Sequence, residues 1–72
     1  MSAEKYIVEI RSTQLVMQER FTFTNELGAT SAARGMSCAD EVDAVHVYAI
    51  ADGQAFAERT RIAKYRNGNA ER

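Results

Sequence analysis

Tyr48, His46, Arg59 and Arg61 are the side chains whose types and spacing point most directly to binding chemistry. Tyrosine and arginine combine a large contact area with a polar handle, which is why they recur at binding hot spots. These four residues meet only if the runs 44–51 and 54–65 pair about Asp52-Gly53. Asp-Gly favours a two-residue type I′ hairpin, in which both central residues take positive φ. That loop predicts Ala49 opposite Phe56, Val47 opposite Glu58, Val45 opposite Thr60, Tyr48 opposite Ala57 and His46 opposite Arg59. Alternation then gathers His46, Tyr48, Ile50, Arg59 and Arg61 on one surface. Arg59 beside His46 would depress the imidazole pKa, although a histidine on a wet sheet face needs no such role.

A second patch is acidic: Asp40, Glu41 and Asp43 in a loop predicted from Met36 to Asp43. A calcium loop needs more oxygen ligands at set spacing and a glycine at its turn, and neither is present. A solvated loop accounts for these carboxylates; as an interaction site, it suits a basic channel. Cys38 and His46 are the one conceivable nucleophile–base pair. Their spacing does not force contact and no third group orients the base, so a small buried hydrophobe is the better account of Cys38. One cysteine and one histidine cannot close a zinc site. No Gly-rich phosphate loop, HExxH, GxSxG or CxxC occurs. No cofactor or metal and no catalysis are expected.

The elements that must position these residues follow from periodicity. Tyr6 to Ser12 alternates as a strand, with Tyr6, Val8 and Ile10 on one face and Ile7, Glu9 and Arg11 on the other. A turn at Ser12-Thr13 leads to a second strand from about Leu15 to Phe23. There Leu15, Met17, Phe21 and Phe23 share a face interrupted by Glu19, and Val16, Gln18, Arg20 and Thr22 occupy the other. Thr24 or Asn25 caps a helix running to about Met36. Ala29, Ala32, Ala33 and Met36 form its apolar stripe, which Leu27 could join. Gly28 and Gly35 lie on one side of that helix, suggesting either close approach to the sheet or a weak helix. The last hairpin completes a two-layer α+β domain of order ββαββ, an antiparallel sheet with one helix packed on one face. Val45, Val47, Ala49, Phe56 and Ile62 are expected under the helix. Residues 67–72 read as a frayed, turn-rich end.

Size and composition set the remaining bounds. Seventy-two residues make a single small globular domain, with an ordered core at about residues 5–66. A chain this short buries only about 60% of its unfolded surface, so support from a partner or a second copy is expected. A homodimer through the partly apolar surface of Ile7, Tyr48 and Ile50 is one such arrangement. No stretch of ~20 apolar residues could span a membrane, and with a lone cysteine and no signal-like segment a cytoplasmic location is expected. Charge is uneven: residues 1–53 hold four basic and eight acidic side chains, a net of −4, and residues 54–72 hold five against two, a net of +3. The last strand is therefore an interaction surface or a charged edge that discourages aggregation.

These readings converge on a non-catalytic protein-binding module. In size, compactness and lack of a catalytic signature, the chain resembles small accessory proteins of phages and mobile elements, anti-CRISPR proteins and other host-defence inhibitors among them. The resemblance implies a protein or nucleoprotein partner and steric blocking, with acidic residues competing for a nucleic-acid site. Two alternatives stand beside it. One is a small nucleic-acid-binding domain using Tyr48, Arg59, Arg61, Lys64 and Arg66. The other is a homodimeric structural or regulatory subunit.

Overall fold

The computed structural model describes residues 5–13 and 19–71. Its elements are β1 (Lys5–Arg11), β2 (Arg20–Phe23), α1 (Glu26–Met36), β3 (Ala44–Ile50), a 3-10 turn (Phe56–Glu58), β4 (Thr60–Arg66) and β5 (Asn69–Glu71). They build an antiparallel five-stranded sheet of order β2-β1-β3-β4-β5. The α+β class is as expected. The element order differs by one strand, ββαβββ rather than ββαββ.

Alternation in β1 places its residues as the sequence indicates. Tyr6, Val8 and Ile10 join Ala29, Ala33, Val45, Val47 and Tyr65 in the core beneath α1. The helix begins at Asn25, whose side chain accepts from the Gly28 amide at 2.8 Å, satisfying one orphan donor of the first turn. Alanines at its contact face let it lie close to the sheet: Ala29 and Ala33 have no exposed surface, and Ala32 and Met36 are half-buried. Leu27 does not join the stripe; it is 74% exposed. Nor do the two helix glycines mark a close approach. A Cβ on Gly35 would meet nothing within 4 Å, and one on Gly28 would make only ordinary contacts. In β2, Phe21 and Phe23 pair with Val8 and Tyr6 on the helix side, and Arg20 lies opposite Glu9. The expected start of this strand at Leu15, with Val16, Met17 and Gln18, lies outside the described residues.

The hairpin about Asp52-Gly53 is not the two-residue turn that the dipeptide suggests. Gly53 has φ +82, while Asp52 is not in the positive-φ region. A type I′ turn needs both. Ala51 O instead accepts from Gln54 N at 3.1 Å, closing a β-turn that does not return the chain directly into a ladder. Residues 54–59 leave the sheet, turn through the 3-10 segment, and rejoin it at Thr60. The register shifts accordingly: Ala49 pairs with Thr60, Tyr48 with Arg61, His46 with Lys64 and Val45 with Tyr65, with a bulge between Val47 and Tyr48. Phe56 therefore does not lie opposite Ala49 under the helix, and Ile62, at the bulge, is 40% exposed.

The two-residue hairpin is found further on. Asn67 and Gly68 have φ +53 and +80, and Arg66 pairs with Asn69 across them. Residues expected to fray thus form the turn and strand β5. This turn is tied to the helix end: Gly68 N donates to Ser37 Oγ at 2.9 Å, and Ser37 Oγ donates to Arg34 O at 2.8 Å.

Candidate functional site

The sheet face opposite α1 is built around a buried carboxylate. Glu9 is 1% exposed. Arg11 Nε donates to its Oε1 at 2.8 Å and Arg20 Nε to its Oε2 at 3.0 Å. Arg11 is two residues along β1, and Arg20 is the direct cross-strand partner on β2, so both reach Glu9 from the same face. Burial disfavours the Glu9 charge, but hydrogen bonds from Arg20 and Arg11, together with their positive charges, outweigh it and hold the carboxyl below its ordinary range. Each guanidinium uses Nε for this pairing and remains about half exposed, 41% for the Arg11 side chain and 53% for Arg20. The sheet thereby fixes two cations whose terminal amines retain donor capacity.

Tyr48 and His46 extend this network. The Tyr48 hydroxyl donates to Glu9 Oε1 at 3.4 Å and lies 3.1 Å from His46 Nδ1. Arg11 Nη2 also donates to the Tyr48 hydroxyl, at 3.5 Å. The His46 pKa is lowered by burial and then by the charges of Arg11, Arg61 and Lys64. The depression expected at this histidine is present, but its cations come from the true register; Arg59 is not among them.

Ile7, Tyr48 and Ile50 form a second small core roofed by Phe56. Phe56 meets Tyr48 edge-on with centroids 6.2 Å apart. The Arg59 guanidinium lies 4.2 Å from the Phe56 centroid and 4.7 Å from that of Tyr48, and Arg20 lies 4.5 Å from Phe56 on its own approach. These cation–π contacts close the roof. The apolar surface invoked for a homodimer is therefore covered by the chain itself, with Tyr48 only 6% exposed. The 3-10 turn that positions Phe56 is stabilised by Glu58 Oε1, which accepts from Ala55 N at 3.2 Å.

Of the expected partner-binding residues, the structure brings His46, Tyr48, Arg59 and Arg61 to one face, but with different roles. Tyr48 and Arg59 are internal packing, His46 is half-buried, and Arg61 is exposed. Asp40, Glu41 and Asp43 lie apart from them, in the loop after α1. Asp43 Oδ2 accepts from Thr13 N at 2.8 Å, its own amide donates to Arg11 O at 2.9 Å, and the Glu41 carbonyl accepts from the Ser12 hydroxyl. Part of this patch thus fastens the loop to the end of β1. Cys38, just after α1, is exposed rather than the buried hydrophobe expected; its thiol lies 3.5 Å from Arg34 O at the helix end and His46 is on the open sheet face, so the two do not form a pair.

Arg11, Arg20, Lys64 and Arg66 complete the face and were not singled out together from the sequence. Lys64 and Arg66 share Glu71 of β5, at 3.5 and 3.2 Å. A shallow groove of about 200 Å³ runs beside them, lined by Arg61, Ile62, Ala63, Lys64 and Glu71. Opposite-sign charge on one strand, as at Glu9 and Arg11, is a signal for such a network, but Arg20 could be added only with the β1–β2 register known.

Among the described residues, no group of three His, Cys, Asp or Glu side chains could hold a metal, and no helix is long and apolar enough to cross a membrane. No protein-family model matches the chain, and neither a curated protein nor a solved structure shows significant similarity to it.

Proposed function

We propose that this protein is a non-catalytic binding module that docks an anionic surface of a macromolecular partner on its open sheet face. One observation carries the reading: Arg11, Arg20, Arg61, Lys64 and Arg66 stand on the same face, although the chain has a net charge of −1. On α1 and the loop after it, Glu26, Asp40, Glu41 and Asp43 outnumber Arg34. Such separation creates a directed field that steers an anionic partner to one side. Binding rather than catalysis suits this face, because Glu9, Tyr48 and His46 are engaged with one another while Arg11, Arg20 and Arg61 keep exposed surface. In this reading, the protein acts by occupying a surface. That is the mode of small phage and mobile-element inhibitors of host nucleoprotein complexes, and it needs no chemistry on the partner. The acidic loop contributes little, because Asp43 is engaged internally and only Asp40 and Glu41 offer free carboxylates.

The test uses heparin resin at pH 8 and low salt. A chain with a sequence pI near 5.7 is expected to flow through on net charge alone. Retention reports the patch, and Arg61→Glu with Lys64→Glu should abolish it while circular dichroism remains unchanged. Flow-through of the native protein would overturn the reading.

A further inference from the structure

The identity of the anionic partner follows from how the cations are spaced and fixed. On β4, Lys64 and Arg66 are two residues apart and share Glu71 of β5, a net positive pair, and exposed Arg61 reaches the same face across the bulge. Side chains on one face of a strand repeat every ~6.6 Å, comparable with the separation of consecutive phosphates along an extended single strand. Two and three strands away, Arg11 and Arg20 are held by the two oxygens of buried Glu9, which leaves the terminal amines of Arg20 available and those of Arg11 in part, its Nη2 lying 3.5 Å from the Tyr48 hydroxyl. Arginine in a fixed orientation suits phosphate oxygens, because its donors form a rigid fork. Phe56 lies between the guanidiniums of Arg20 and Arg59, which take up its ring faces and leave the half-exposed guanidinium plane of Arg20 as the stacking surface beside that clamp. Bases stack on aromatic rings and on guanidinium planes alike.

We infer that this face binds the phosphodiester backbone of a single-stranded nucleic acid, with Arg61, Lys64 and Arg66 forming a phosphate ladder and Arg11 and Arg20 a clamp set by Glu9. This rests on the anionic-partner reading above. A duplex read through its major groove fits less well: that mode inserts a helix or a free two-stranded ribbon, whereas the helix side is acidic and the cations spread across a five-stranded sheet. A second copy is also a poor occupant, because face-to-face pairing would bring two sets of these cations together. Glu9 is a positioning residue. It touches no phosphate and acts by orienting two guanidiniums.

Fluorescence polarisation with a labelled 20-nucleotide oligo(dT), a 20-base-pair duplex and poly-L-glutamate tests the inference. The five cations less the two carboxylates they share, Glu9 and Glu71, neutralise about three phosphates, so the log–log salt slope should lie near −2 for a single strand and affinity should fall about twentyfold between 50 and 200 mM salt. Lys64→Ala should reduce the slope by about 0.7. Arg20→Lys keeps the charge but loses the fork held by Glu9, and should weaken oligo(dT) several-fold while leaving poly-L-glutamate unchanged. Glu9→Gln removes a negative charge from the face yet should also weaken oligo(dT), whereas a purely electrostatic face would bind it more tightly. Binding of poly-L-glutamate without oligo(dT) would overturn the nucleic-acid inference and leave the anionic-partner reading standing. Tighter binding of the duplex than of the single strand would overturn the single-strand assignment. Binding of none of the three, together with flow-through on heparin, would overturn both.

Discussion

Glu9 and Arg20 stand directly opposite one another on β1 and β2, and Arg20 Nε donates to Glu9 Oε2 at 3.0 Å. A carboxylate that is 1% exposed has exchanged its water for this bond, the one from Arg11 and the Tyr48 hydroxyl. Removing a charged acceptor from such a site leaves donors without their partner. Glu9→Gln should lower stability by about 1–3 kcal/mol in urea denaturation. Asp40→Asn, at an exposed position, should stay within about 0.5 kcal/mol. Equal effects of the two changes would contradict the buried network.

The placement of Phe56 on the open face has its own signature. Arg20 lies 4.5 Å from the Phe56 centroid, a contact that is possible only if the 3-10 turn folds over this face. Phe56→Ala should cost about 2 kcal/mol, less than the 3–5 kcal/mol of a fully buried phenylalanine, because this ring is half-exposed. A double-mutant cycle of Arg20→Ala with Phe56→Ala should show a coupling of about 0.5–1 kcal/mol. Additive effects would place the ring elsewhere.

Two glycine substitutions should move stability in opposite directions. Gly35 lies in the helix with open space around its Cα, so Gly35→Ala should stabilise the fold by about 0.5–1 kcal/mol. Gly68 has φ +80, and a Cβ there would sit 2.8 Å from Cys38 Sγ. Gly68→Ala should cost about 1–3 kcal/mol through backbone strain and crowding. Thermal melts of both variants decide the matter, and the assignment of the Asn67-Gly68 turn fails if Gly68→Ala is neutral.

Stability should fall on mild acidification, with His46 as a named contributor. Its pKa is lowered from the ordinary 6.5 by burial and by Arg11, Arg61 and Lys64. The unfolded chain therefore takes up a proton near pH 6.5 that the folded state resists, so stability is complete above that pH and is lost as pH drops below it. Glu9, whose folded pKa is also lowered, adds a second loss below its ordinary value of 4.5. Unfolding free energies at pH 7.5 and 5.5 should differ less in His46→Gln than in the native protein. An unchanged difference would remove His46 from this account.

The local elements were legible in the sequence because each depends on neighbours a few residues away. Tyr6, Val8 and Ile10 alternate, Asn25 can cap, and Ala29, Ala32, Ala33 and Met36 recur at helical spacing, so β1 and α1 formed where periodicity put them. The same alternation placed Ile7, Glu9 and Arg11 on the face away from the helix. Register was a different matter. Asp52-Gly53 and Asn67-Gly68 are both turn dipeptides, and which of them closes a two-residue hairpin depends on the φ that the surrounding sheet imposes. Asn67 adopts positive φ where Gly68 is tied to Ser37 at the helix end, whereas Asp52 does not. A shift of pairing moves every cross-strand neighbour, which is why Phe56 became a roof over Tyr48 instead of a core residue under α1 and why Lys64, not Arg59, faces His46. The clamp about Glu9 was likewise beyond local reading. Its members come from β1, β2 and β3, and only the assembled sheet brings Arg20 and Tyr48 to one buried carboxylate. Composition revealed an uneven charge along the chain; the sheet topology converted it into one basic face, because strands distant in sequence present their alternate residues to the same side.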